Sequence, residues 1–451
     1  MNESNQSMSK AWLLQQKIHP QREVVTQELH ARPFETINSP SEIFLFAKLT
    51  SEKVTHQEFE HLVAFCQRHQ LPMPANNTRH YTATKNQYRF RWERHTEFTT
   101  CTLFMVAKSE SPFETSPAAD VLDWFSTTEG ELLVATQISI QESNFECSEK
   151  VLSSLFQVES IVSAELSQRE AQVWTDLRIH ESGFNRILLV NYCMSSTKLG
   201  RIVQYLLDVA TYRNMALLAL PIAQSTGHKI AELDERLSAL LAQMSTTDKN
   251  SLSISQAIKA DSVLHDQLSE LSLSIQLLVM QSGFRLSGSK AYYAILKNRI
   301  EELEEVKVIG RQTIGEFIRR RLDPAMLTCG SIDKRLDDIA KRTSRAVDLL
   351  RTRLDLTIEK QNHQLLESMN ERARLQMNLQ ETIEGVSIAA VTYYIVGLIG
   401  YSTKSVAEFG IDIHPELITG FTVIPIALIV WYGIKQIKKR IRRHAKASKD
   451  Q

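Results

Sequence analysis

The pattern of hydrophobic and polar positions divides the chain into regimes that differ in period. In residues 1–197 apolar positions alternate with polar ones or form short β-branched runs, the marks of strands. The pattern predicts strands at Glu42–Leu49, Tyr88–Arg94, Phe98–Val106 and Glu131–Ile140, and again in Ile161–Leu166, Ala171–Ile179 and Asn185–Cys193. Between them Phe59, Leu62, Val63 and Cys66 recur at helical spacing, which predicts a helix over Thr55–His69, and Pro117–Phe125 reads as a short one. Pro33 and Pro40 bar helix and mark 19–40 as leading into an extended, packed segment. This region reads as an α+β or α/β domain with a mixed sheet of about six strands.

From Lys198 the strand signal ends. Residues 198–330 read as a helical bundle: Arg201–Leu220 ending at Pro221, then Lys229–Met244, Ser251–Phe284 and Ala291–Leu322, the last stopped by Pro324. After Gly330, Ser331 reads as an N-cap with Asp333 in the first turn. Residues 331–384 then run without Gly or Pro. Their seam, Ile332, Leu336, Ile339, Ala346, Leu350, Leu354, Ile358, Leu365 and Met369, steps by threes, fours and sevens. That predicts a long coiled-coil-like stalk helix of about 80 Å at 1.5 Å per residue.

Two uncharged apolar stretches follow, GVSIAAVTYYIVGLIGY (385–401) and LITGFTVIPIALIVWYGI (417–434). Each makes a helix about 26 Å long, at the short end of what crosses a bilayer. They predict a transmembrane hairpin with an outer loop, 402–416, and a basic cytoplasmic tail, 435–451. Pro425 kinks the second span mildly, as membrane helices tolerate.

Charge sharpens this picture. The 451 residues are neutral overall, but 435–451 carry eight Lys/Arg against one Asp. The remainder holds 44 basic and 51 acidic groups, which gives no reason to expect nucleic acid as partner. The basic cluster suits the anionic cytoplasmic face of a bilayer. Glycine (15) and proline (11) are scarce, as a helix-rich chain requires. The five cysteines are widely spaced and form no CxxC pair, which favours a reducing compartment. The polar N-terminus reads as no signal peptide, so the soluble body and both termini are expected on the cytoplasmic side.

Chemistry-bearing residues are densest in YRFRWERHTEF (88–98). Strand alternation sets Phe90, Trp92, Arg94 and Thr96 on one face and Arg91, Glu93, His95 and Glu97 on the other. Glu93, His95 and Glu97 together offer ligands for a divalent metal or a proton-transfer pair; a hydrated, salt-bridged face is the plainer reading. His30 and Arg32 pair an imidazole with a guanidinium beside a turn, fit for a ligand or for structural hydrogen bonds. His19, His80, His180 and His228 read as isolated. Asn378, Glu381 and Glu384 precede the first apolar stretch along one helix side, and in an oligomer they would ring a cation path. Zinc-protease, P-loop, dinucleotide and serine-hydrolase signatures are absent, and no catalytic residue is assigned.

Four segments together resemble a bacterial family of uncharacterised membrane-anchored proteins known only as a domain of unknown function: HPQREVVTQELHARPF (19–34), RFRWERHTEFTT (89–100), GRIVQYLLDVATYRNMALLALP (200–221) and TYYIVGLIGY (392–401). The resemblance implies a location in the bacterial inner membrane and no established activity. The order of domain, stalk, span, loop, span and basic tail is similar to the CorA-type metal-ion transporters, which implies a pentamer and a Gly-Met-Asn signature. Here Gly400, Tyr401 and Ser402 stand in its place. The expectation is therefore an anchored, homo-oligomeric scaffold or regulator without cofactor. The alternatives are a CorA-like divalent-cation channel and an enzyme built on Glu93, His95 and Glu97.

Overall fold

The computed structural model describes residues 18–28, 34–51, 54–76, 78–85, 88–107, 111–246, 253–408 and 415–447. The chain falls into two compact units, Met1–Gln243 with Gln267–Ala346 and Met244–Asp266 with Val347–Gln451. In chain order its elements are α1 (Arg22–Glu28), β1 (Ser41–Leu49), α2 (Thr55–His69), β2 (His80–Lys85), β3 (Tyr88–Arg94), β4 (Phe98–Val106), α3 (Ala119–Thr127), β5 (Glu131–Glu142), α4 (Glu149–Leu155), β6 (Val162–Leu166), β7 (Ala171–Ile179), β8 (Asn185–Asn191) and α5 (Ser196–Leu217). There follow α6 (Ala219–Thr246), α7 (Ile254–Glu302), the two-residue β9 (Val306–Lys307), α8 (Ile314–Glu408) and α9 (Pro415–Ala447).

The strands form one sheet in the order β2-β3-β4-β1-β5-β8-β7-β6-β9. Only β5 and β8 pair in parallel, so the sheet is mixed as expected. Among the described residues it has nine strands rather than about six. The edge strand β2 turns only Tyr81 and Ala83 to the core, and β9 is too short to show a period.

Both faces of the sheet are covered. On β1, Ile43, Leu45 and Ala47 pack with α5 and with Leu296, Ile300, Ile314 and Ile318 of α7 and α8. Phe44 and Phe46 point the other way, into an aromatic core with Leu62, Phe65, Trp92, Trp124 and Phe125 beneath α2 and α3. Burial on both sides explains why β1 reads as a continuous apolar run instead of alternating.

Helix α5 lies against the 34–38 segment. A Cβ built on Gly200 would stand 1.6 Å from the Glu35 carbonyl oxygen, a contact no side chain can make. Ile37 N–H donates to the Ser196 carbonyl beside it, 3.0 Å away. Gly130, before β5, is fixed by φ of +116° and by the Leu49 carbonyl oxygen 2.5 Å from its would-be Cβ.

Helix α8 starts earlier than the sequence suggests. Thr313 and Glu316 form a capping box: Thr313 Oγ1 accepts from Glu316 N–H at 3.1 Å, and Thr313 N–H donates to Glu316 Oε2 at 3.3 Å. The half-buried Glu305 adds two acceptors, for Ile314 N–H at 2.8 Å and Gly315 N–H at 2.9 Å. Pro324 and Gly330 therefore do not end a helix, and Ser331 is not an N-cap. Pro324 is exposed, and so is Arg320, whose carbonyl it leaves without a helical donor, so solvent can satisfy that group. Likewise Pro221 sits in the first turn of α6, where no helical N–H is lost.

The expected seam is buried at Ile332, Leu336, Ile339 and Ala346 in the first unit. In the second unit Leu350 is buried and Arg353 pairs with the buried Asp261 at 3.0 Å. Ile358, Leu365 and Met369 are 43–62% exposed, so the seam outlasts its cover within one chain.

Gly200→Ala is expected to destabilise the protein by about 1–3 kcal/mol, whereas Gly283→Ala, in open space on α7, should be neutral or gain up to about 1 kcal/mol. Thr313→Ala should cost about 0.5–2 kcal/mol and Ser331→Ala close to nothing. Melting curves of the purified variants test both pairs; equal losses at Thr313 and Ser331 would contradict the assigned helix start.

Candidate functional site

The site is built from side-chain alternation on two neighbouring strands. On β3, Tyr88, Phe90 and Trp92 enter the aromatic core, which leaves Arg89, Arg91 and Glu93 on the α5 side. On β4, Cys101, Leu103 and Met105 enter the same core, which leaves Thr100 and Thr102 beside those residues. Arg91 is paired with Thr102 and Glu93 with Thr100 across the ladder. Helix α5 sets Gln204, Leu207, Asp208 and Thr211 against this patch. They enclose a cavity of about 160 Å³, to whose wall Phe34, Leu45, His95, Phe98, Tyr212 and Arg299 also contribute.

A chain of polar contacts runs along the wall. Arg91 Nη2 donates to Gln204 Oε1 at 2.5 Å, and Gln204 Nε2 donates to Asp208 Oδ1 at 2.8 Å. Arg299 Nε donates to Asp208 Oδ2 at 2.7 Å and its Nη1 reaches Glu302. Glu93 lies 3.4 Å from Arg91 Nε and 3.9 Å from His80 Nε2. Burial pushes the Asp208 carboxyl above its ordinary value, against the pull of Arg299 and Gln204. Burial also works against the Arg299 charge, but Glu302 and Asp208 outweigh it and hold its pKa above the ordinary value. Two guanidinium groups thus face two carboxylates in a half-enclosed space, an arrangement that binds and orients polar ligands.

The face expected to gather Glu93, His95 and Glu97 is divided. The strand ends at Arg94, so His95 and Glu97 lie in the β3–β4 turn. Glu93 and His95 both line the cavity, His95 with its ring stacked on Phe98 at 4.1 Å. Glu97 pairs with Arg285 at 2.9 Å and borders a separate cleft of about 570 Å³ with Arg79, Arg94 and His95, so His95 is common to both spaces. Among the described residues no three His, Cys, Asp or Glu side chains are placed to hold a metal. His30 and Arg32 lie outside the described residues. His80 and His180 are not isolated: His180 Nε2 stands 3.1 Å from Asp176. Gln204, Asp208 and Arg299 were not singled out from the sequence, although Gln204, Asp208 and Thr211 fall at i, i+4 and i+7 in an otherwise apolar helix.

In the second unit Asn378 and Glu381 are exposed and Glu384 is half-buried on α8. Tyr401 is exposed, and the Ser402 hydroxyl donates to the Leu398 carbonyl of its own helix at 2.8 Å. Gly400 admits Thr419 of α9, whose side chain would lie 3.5 Å from a Cβ there. Gly397, Gly400 and Gly420 line a groove of about 850 Å³ between these two helices. Small residues at a helix crossing allow such close approach in a bilayer.

A family model described as a protein of unknown function, DUF3422, matches residues 17–441, nearly the whole chain. The chain belongs to the DUF3422 family. Comparison with curated proteins and with solved structures gave no match. The resemblance of this DUF3422 protein to an uncharacterised family is thereby established, while the similarity to CorA-type transporters finds no support.

Among the described residues of the DUF3422 chain, three helical stretches are long and apolar enough to cross a membrane, by length and composition: Ser196–Thr246, Ile314–Ser405 and Glu416–Ile437. Their most apolar windows are 56%, 6% and 0% buried within the protein. The first is accounted for by packing on the sheet; the other two are not.

Arg299→Gln is expected to destabilise the protein by roughly 1.5–3 kcal/mol, because it strands the Asp208 carboxylate. Without that cation the carboxyl moves further above its unfolded-state value. Its stabilising form is then the protonated one, which is lost as pH rises. The deficit relative to the wild type should therefore widen as pH rises above the ordinary carboxylate range. A second change, Asp208→Asn, should remove the pH dependence; a pH-independent deficit in Arg299→Gln would refute the pairing.

Proposed function

We propose that this DUF3422 protein is a membrane-anchored, non-catalytic scaffold or regulator whose last two apolar helices form the anchor. The observation that carries the reading is the uncovered apolar surface of 6% and 0% buried windows on helices otherwise suited to a bilayer. Aromatic and basic placement supports it. Trp431 and Tyr432 are exposed near the end of the second stretch, and Lys435 Nζ lies 4.5 Å from the Trp431 ring. Aromatic rings followed by cations suit a headgroup boundary. The eight basic residues of 435–451 support a cytoplasmic position for that boundary.

Self-association is part of the proposal. Ile358, Leu365 and Met369 continue a seam whose earlier members are buried, and a second copy would cover them.

The full-length protein should remain in the membrane pellet after alkaline carbonate and leave it in detergent. A version ending at Glu384 should be recovered in the soluble fraction. Release of the full-length protein by carbonate alone would overturn the anchor, and a monodisperse monomer in mild detergent would overturn self-association.

A further inference from the structure

We propose that the cleft bordered by Arg79, the β3–β4 turn and α7 binds a phosphate monoester that carries a flat ring, as a nucleoside monophosphate does, with the phosphate on Arg79 and the ring on Phe284. This goes beyond the anchoring role and does not depend on it.

Three guanidinium groups line this cleft, those of Arg79, Arg94 and Arg285, against one carboxylate, that of Glu97. Glu97 answers Arg285 at 2.9 Å. Arg94 is buried with Glu58 near it, but the Glu58 charge serves Lys48 as well. Arg79 is exposed, and among the described residues no carboxylate stands within ion-pair distance of it. Arg79 and Arg94 also face each other across the open end of the β2–β3 ladder. His80 is paired with Glu93, and one step further Arg94 N–H donates to the Arg79 carbonyl at 2.8 Å. Cross-strand neighbours have Cβ atoms about 5 Å apart, where like charges are destabilising. The strain is visible in Arg94, whose pKa is lowered by burial and next by the Arg79 charge, with Glu58 opposing. A dianion seated on the exposed Arg79 relieves this repulsion without calling on any donor of Arg94.

The accessible donors name the anion. The Arg79 guanidinium makes no hydrogen bond among the described residues, and neither do the exposed hydroxyls of Ser51 and Thr96 on the same wall. The Thr50 hydroxyl, by contrast, is engaged with that of Thr99 at 3.4 Å. A guanidinium fork with two hydroxyls suits an oxyanion with three acceptor oxygens, and a phosphate monoester supplies them with about −1.5 to −2 charge at neutral pH. The rest of the wall asks for more than an inorganic ion. Phe284, beside Arg285 on α7, is 66% exposed, and an open aromatic face takes a second ring by stacking. Small-molecule sites span roughly 300–1,000 Å³, so a cleft of about 570 Å³ has room for a phosphate and a ring together, and phosphate alone leaves most of it unfilled.

The test uses the purified full-length protein, titrated calorimetrically and by thermal shift at fixed ionic strength with AMP and UMP. Adenosine, uridine and inorganic phosphate serve as the separate halves. At least one nucleotide is expected to bind with a dissociation constant below about 1 mM and to raise the melting temperature. Its nucleoside should do neither, and inorganic phosphate should bind about tenfold more weakly or less. Arg79→Gln removes an exposed, unpaired cation, so it should melt as the wild type does and weaken the nucleotide about tenfold. Phe284→Ala should weaken the nucleotide severalfold and leave inorganic phosphate unchanged, a split that a loss of charge could not produce. The proposal is overturned if neither nucleotide binds, if nucleotide and nucleoside bind alike, or if Arg79→Gln binds the nucleotide as the wild type does. Equal affinity for nucleotide and inorganic phosphate, or an unchanged nucleotide affinity in Phe284→Ala, would overturn the place given to the ring.

Discussion

The nine-stranded sheet is covered by helices on both faces, and the rest of the first unit is fitted to that constraint. A doubly covered sheet leaves little room for water, so each polar side chain that turns inward must be met by another. On the α2 and α3 side β3 and β4 comply with aromatic and aliphatic residues. On the α5 side they do not: Arg89, Arg91, Glu93, Thr100 and Thr102 replace what would be core. Helix α5 answers with Gln204 and Asp208, and α7 with Arg299. The cavity exists because these polar groups meet one another without filling the space as apolar side chains would. Gly200 belongs to the same arrangement. It lets α5 come close enough for the 34–38 segment to lie on it, which brings Phe34 to the cavity wall.

Much of this was legible in the sequence, and the misses have physical causes. The bounds of β3, β4, β7 and α2 coincide with those expected, because each combines a clear period with flanking turn residues. Helix ends were misjudged where Pro and Gly were taken as stops. Pro324 lies on an exposed helix side and removes one hydrogen bond from a helix of 95 residues that packing otherwise holds. The true start at Thr313 carried its own signal, Thr-Ile-Gly-Glu, a capping box overlooked in favour of the breaker at Gly330. The site was half legible. Period-two alternation put Arg91, Glu93 and His95 together, and all three line one cavity. Extending the strand through Glu97 failed because the hairpin turn begins at His95, where its N–H bonds to the Phe98 carbonyl. Arg299 could not have been placed from its own surroundings, since it reaches Asp208 across 91 positions of chain.

Hydropathy alone does not separate a core helix from one that faces lipid. Ser196–Thr246 and Ile314–Ser405 pass the same compositional criteria, yet the apolar window of one is more than half buried and that of the other only 6% buried. In the first case the apolar positions are interrupted by Gln204, Asp208 and Thr211, each of which has a partner across the cavity or along the helix. In the second, hydroxyls such as Ser402 and Thr403 donate back to carbonyls of their own helix. That is how a hydroxyl is satisfied when no polar neighbour is at hand. Thr211 of the core helix is satisfied in the same way, on the Leu207 carbonyl, so a hydroxyl that closes on its own backbone does not separate the two helices, and burial does.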